Sequence, residues 1–208
     1  MPSQPITEYQ FEKLLELTRR ERNKFIVERD CLYYELCYYL GFRPSEARLI
    51  KISYINFAEK SIFIPAENNK ERHADNFPIP DFILDKIRKY ILKMPFKTAW
   101  LFPCYWNVLR KKDIPIHIWC LQRDFTRRIR ALGFLYVSFV DKHGFSRYNL
   151  NLYSFRKRFG TFIYKKTHCP QTTALMLRQY DRQLKSVWSY VFNVQKEERG
   201  ELMKKIYG

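Results

Sequence analysis

The chain has 208 residues, 46% of them hydrophobic and 17% aromatic, enough for one sizeable core. Its 38 lysines and arginines against 21 acidic residues give a formal charge of +17, which points to a polyanionic partner and away from small neutral metabolites. Five cysteines without a CxxC pair argue against a disulfide framework or a zinc site, four scattered histidines lack ligand spacing, and no apolar run is long enough to span a bilayer or serve as a signal peptide. The expectation is an intracellular globular protein without a metal.

In chain order, Thr7 and Gln10 make a capping-box start, and Phe11, Leu14, Leu15 and Thr18 recur at helical spacing, which predicts a helix over 8–19. A second helix follows over about 22–40, stopped by Gly41, and Pro44 suits the first position of a short third helix with Arg43 at its entrance. Over 52–79 the runs KISYINF, SIFIP and NFPIP are short and alternating or β-branched, separated by polar turns, and predict a small antiparallel sheet carrying a loop with Lys70. Pro80 and Asp81 open an amphipathic helix to Lys93. A connection with Pro95, Pro103 and Pro115 leads to another helix at about 116–132, and FLYVSFV, DKHG and FSRYNL predict a hairpin between 134 and 150. Helical periodicity returns from about 151 to 166, after Pro170, and toward the C-terminus. Without repeats or a clear linker, the chain reads as one mainly helical domain with a small sheet.

Four residues fall in order along these elements: Arg43 in GFRPSEA, Lys70 in NNKERHADNFPIP, Arg156 in LYSFRKRFGT and Tyr190 in VWSYVF. Two arginines, a lysine and a tyrosine suffice for metal-free chemistry on a phosphodiester. The tyrosine attacks, the arginines hold the charge that develops on phosphorus, and the lysine protonates the leaving oxygen. Singly none is diagnostic: Arg43 could merely cap a helix, Lys70 could be a solvated loop lysine, and most of the 15 tyrosines must be packing residues. Position carries the reading, with Tyr190 standing 34 residues (190 minus 156) after Arg156.

Together, GFRPSEA, the lysine-bearing β turn, LYSFRKRFGT and the late tyrosine resemble the catalytic domain of the tyrosine recombinases, the phage integrase family, over nearly the whole chain. The resemblance implies an α+β, mainly helical fold with a small antiparallel sheet, and a single catalytic domain over 1–208 without a separate N-terminal core-binding domain. It implies Arg43 and Arg156 as the catalytic arginines, Glu46 orienting Arg43, Lys70 in preference to Lys60 as general acid, and Tyr190 as the nucleophile. No cofactor is needed, because a 3′-phosphotyrosyl link stores the bond energy for rejoining. Tyr153 stands where the family has histidine and would donate to the phosphate, with Lys157, Arg158 and Arg182 adding contacts to double-stranded DNA. Asp181 stands nine residues before Tyr190, where the family has His or Trp, and Arg182 or Arg178 would supply the missing donor. Residues 193–208 resemble a final helix exchanged between protomers of a DNA-bound tetramer, and an accessory partner could supply a DNA clamp. The implied activity is site-specific recombination in the cytoplasm or nucleoid. Two alternatives stay open: a DNA-binding relative with weak or no cleavage, and topoisomerase IB-like relaxation.

Overall fold

The structure, a computed structural model, describes residues 3–179 and, beyond them, 187–188, 190–191, 194–195, 198 and 201. The first helix, α1 (Glu8–Arg19), starts where expected: the Thr7 hydroxyl accepts from the Gln10 N–H and the Gln10 side chain accepts from the Thr7 N–H. It presents Phe11, Leu14, Leu15 and Thr18 inward. The second helix, α2 (Lys24–Leu40), is buried almost all round over its later turns and forms the centre of the domain, packing against α1, α3 (Pro44–Arg48), α4 (Asp81–Leu92) and α7 (Tyr153–Thr167). Gly41 ends α2 at φ 62°, and a Cβ there would stand 2.2 Å from the Phe159 ring. Backbone conformation and close approach both require glycine at this position.

The predicted sheet is present as β1 (Ile55–Asn56), β2 (Ser61–Ile64) and β3 (Asp75–Pro78), antiparallel in that order, with Ile62 opposite Phe77 and Ser61 opposite Pro78. Its buried side, Ile62, Ile64 and Phe77, joins the helical core. The Pro-rich connection contains a five-residue helix, α5 (Tyr105–Leu109), that periodicity does not predict. Helix α6 (Ile118–Ala131) starts two residues later than expected, with the His117 ring accepting from the Trp119 N–H. The hairpin follows as β4 (Val137–Val140) and β5 (Ser146–Tyr148), and α8 (Pro170–Met176) follows α7.

A buried charge network ties α6 to α2. Arg128, about 1% exposed, donates to Asp30 Oδ2 at 2.9 Å, to the Tyr34 hydroxyl at 2.8 Å and to Glu21 Oε1 at 3.1 Å, while Arg29 holds the other Asp30 oxygen at 2.8 Å. Every strong acceptor in the network is met, which is what makes such burial tolerable.

Candidate active site

The α2–α3 corner places the first arginine. Gly41 turns the chain, Arg43 occupies the N-cap position of α3, and Pro44 begins the helix with its preset φ. Glu46, one turn on, reaches back with both oxygens: Oε2 accepts the Arg43 backbone N–H at 2.9 Å and Oε1 accepts Arg43 Nη1 at 2.5 Å. Arg43 is 6% exposed and Glu46 2%, so this is a buried, hydrogen-bonded pair and not a solvated surface contact. Burial alone would raise the Glu46 pKa, but the Arg178, Arg43 and Arg156 charges together hold it below the ordinary carboxylate value.

The turn between β2 and β3 closes over the same arginine. Asn69 Oδ1 accepts from Arg43 Nη1 at 3.2 Å and from the Glu71 N–H at 3.1 Å, while its amide donates to the His73 carbonyl at 2.8 Å. Glu71 Oε1 lies 3.3 Å from Arg43 Nη2. Lys70, between these two, is exposed. Lys60, the rejected alternative, pairs with Asp81 at 2.8 Å.

Helix α7 supplies Arg156 from its first turn. Its Nη1 donates to the Gly41 carbonyl at 2.8 Å and its Nη2 to the Leu177 carbonyl, so Arg156 bridges the C-terminus of α2 and the end of α8. Burial, with the Arg43 and Arg178 charges beside it, brings the Arg156 pKa down to about 9, opposed by Glu46 and Tyr190. Tyr190 is 7% exposed. A Cβ on Gly160, one turn beyond Arg156, would lie 3.0 Å from its Cε1 and 3.1 Å from its Cζ, so the phenol ring rests on α7 at a position only glycine leaves open. Burial raises the Tyr190 pKa, and the nearby Arg156 and Arg43 charges pull it back.

The structure therefore brings Arg43, Glu46, Arg156 and Tyr190 together, and it adds Asn69, Glu71 and Arg178, which the sequence reading did not place there as a set. Arg178 reaches the cluster from just beyond α8 and donates to Glu46 Oε2 at 2.9 Å. Tyr153 is 51% exposed at the start of α7, one turn before Arg156. Lys157 and Arg158 do not join the cluster. The Lys157 amine, half-buried and with its pKa lowered by that burial, donates to the Ser3 carbonyl. Arg158 lies about 200° around the helix from Arg156, stacked 3.9 Å above Tyr38 and 4.6 Å from Phe162, beside a cavity of about 570 Å³ lined by Gln4–Glu8. Asp181 and Arg182 lie outside the described residues.

Buried guanidiniums against a phenol can bind an oxyanion and stabilise charge as it develops. Each guanidinium has five N–H donors, and those not committed to Glu46, Asn69, Glu71 or the Gly41 and Leu177 carbonyls remain for such a ligand.

Comparison with known proteins agrees with this architecture. Tyrosine recombinase XerA of Pyrococcus furiosus is 28% identical over 123 residues, which is 59% of this chain and 41% of that protein. The crystal structure of XerH site-specific recombinase bound to its palindromic difH substrate after cleavage superposes with a TM-score of 0.71 at 19% identity, over 99% of this chain and 54% of that one. The Tn1549 transposon integrase in complex with transposon right-end DNA gives 0.65 at 13% identity, over 98% of this chain and 67% of that one. This chain thus spans about half of the first two, and the mainly helical fold with small antiparallel sheets is that of tyrosine recombinase catalytic domains. Residues 4–167 match the Phage integrase family, and the chain belongs to that family.

Proposed function

We propose that this protein cleaves and rejoins duplex DNA as a site-specific recombinase. The Tyr190 hydroxyl attacks a backbone phosphorus and its proton passes to solvent. A tyrosyl–phosphorus bond forms, the bond to the 5′ oxygen breaks, and the Lys70 ammonium gives that oxygen a proton. Arg43 and Arg156 hold the charge on the nonbridging oxygens, and Tyr153 donates from the rim. Rejoining reverses these steps with another strand's 5′-hydroxyl, so no nucleotide cofactor is consumed. Work on two duplexes implies several copies on DNA, with 193–208 as the exchanged segment and a partner to clamp the opposite face.

The observation that carries the reading is the convergence of Arg43, Arg156 and Tyr190 from three distant segments, close enough for both arginine charges to act on the phenol. The direct test incubates the protein with a pool of nicked duplexes of randomised sequence and looks for a covalent adduct on a denaturing gel. Tyr190→Phe is expected to bind DNA and form none. An adduct formed equally by that variant would overturn the assignment. Glu71 lying on Arg43 favours one second reading, a relative that binds DNA without cutting it, and absence of adduct in the wild type despite binding would select it.

A further inference from the structure

Arg178 breaks two rules at once. It is the residue after the last turn of α8, with φ at 52°: its N–H bonds the Leu175 carbonyl at 2.9 Å, and the Gln179 N–H returns to the Ala174 carbonyl at 2.9 Å. This is the left-handed C-terminal turn that glycine fills without strain. A long, charged side chain here is costly in backbone energy, and this one is then buried completely, at 0% exposure. Its guanidinium is flanked by Phe42 and Phe77, each ring 4.6 Å away, with one Nη2 bond to Glu46 and, among the described residues, no partner for Nε or Nη1. A residue kept at such a cost signals a function for the strain.

The geometry also says which function. Arg178 has no exposed surface with which to meet a phosphate, but it grips the Glu46 oxygen that accepts the Arg43 backbone N–H, while the other oxygen holds Arg43 Nη1. The residue before it, Leu177, offers its carbonyl to Arg156. One short stretch thus supports both arginines, one through a carboxylate and one through the backbone. We infer, on the basis of the strand-cleavage reading above, that Arg178 is a positioning residue: it acts through Glu46 to fix the Arg43 fork for the transition state, and it governs the cleavage step and not DNA affinity.

The experiment compares wild type with Arg178→Met, Arg178→Lys, Glu46→Gln and the Arg178→Met, Glu46→Gln double variant, measuring affinity and single-turnover adduct formation on a nicked duplex that the wild type cuts. Arg178→Met is expected to bind within about threefold of wild type and to cleave roughly a hundredfold more slowly, the range seen when one transition-state donor is lost. Arg178→Lys, which keeps the charge without the fork, should recover part of that loss and serves as the test if the methionine variant does not fold. In the Glu46→Gln background, Arg178→Met should add less than about twofold, because both changes remove one mechanism. A methylphosphonate at the cleaved position removes the phosphate charge, so the defect should shrink by about tenfold on that duplex, which a general loss of fold would not produce. Wild-type cleavage rates in Arg178→Met or Arg178→Lys, or effects of Arg178 and Glu46 that multiply independently, would overturn the inference. Absence of any adduct with the wild type would instead sink the strand-cleavage reading on which it rests.

Discussion

Glu71 Oε1 lies 3.3 Å from Arg43 Nη2, so the arginine's second amino group carries a carboxylate from the same turn that carries Lys70. Arg43 Nη1 is already committed to Glu46 and Asn69, which leaves the side held by Glu71 for an incoming phosphate. A phosphate that engages Arg43 through Nη2 competes with that carboxylate. Glu71 is one-third exposed, so the pair is partly screened and worth no more than about 1 kcal/mol. Glu71→Gln is therefore expected to bind duplex DNA up to about fivefold more tightly at low salt, with the gain shrinking as salt rises. Fluorescence anisotropy across a salt series checks this, and weaker binding by the variant would contradict it.

Gly160 separates stability from activity. Alanine is the better helix former by about 1 kcal/mol, but its methyl would stand 3.0 Å from both Leu177 Cδ1 and Tyr190 Cε1. Tyr190 or Leu177 must shift to admit it. Gly160→Ala should keep a melting temperature close to wild type while losing most adduct formation if Tyr190 is the nucleophile as proposed, since misplacement of a nucleophile by a fraction of an ångström is costly. Calorimetry alongside the nicked-duplex assay measures both.

The Arg128 network makes the opposite separation, remote from the cluster. Arg128→Ala leaves Asp30, which is fully buried, with Arg29 alone and leaves the Tyr34 hydroxyl oxygen without the donor it accepts from. Breaking a buried pair from one side costs about 3 to 5 kcal/mol. Urea unfolding should show a loss of that size. A triple change to Arg29→Met, Asp30→Leu and Arg128→Met should recover much of it, because no buried charge is then left without its partner.

Glu46 gives the stability a dependence on pH. Its folded pKa is lowered, with the Arg178, Arg43 and Arg156 charges outweighing burial. The unfolded chain therefore binds the proton first as the pH falls. Its contribution is full above the ordinary value of 4.5 and is lost as pH drops through the lower folded value. Glu46→Gln should be less stable than wild type at pH 7, and the two melting temperatures should converge as the pH falls from 4.5 through the lower folded value. A gap that widened in acid would contradict the sign.

Much of the local structure was legible because its causes are local. The capping box at Thr7 and Gln10, the stop at Gly41, the start at Pro44 and the Ile62 and Phe77 strands each depend on a few neighbouring residues. Helix α5 was not, because five residues are too few for a period and the prolines around it read as a connection. The direction of Arg158 was available in principle: two residues along a helix from Arg156 is the far side. The basic residues of LYSFRKRFGT therefore divide between faces of α7.

The sequence by itself determined the order of the elements, the basic surface, and the segments that bear Arg43, Lys70, Arg156 and Tyr190, since these follow from periodicity, turn chemistry and motif spacing. Only the tertiary structure decided which of those side chains share a site. Glu46 meets Arg178 across 132 residues of chain, and Arg156 meets the Gly41 carbonyl across 115. Contacts at such separation are set by how α2, α7 and α8 pack, and packing depends on the whole core and not on any motif within it.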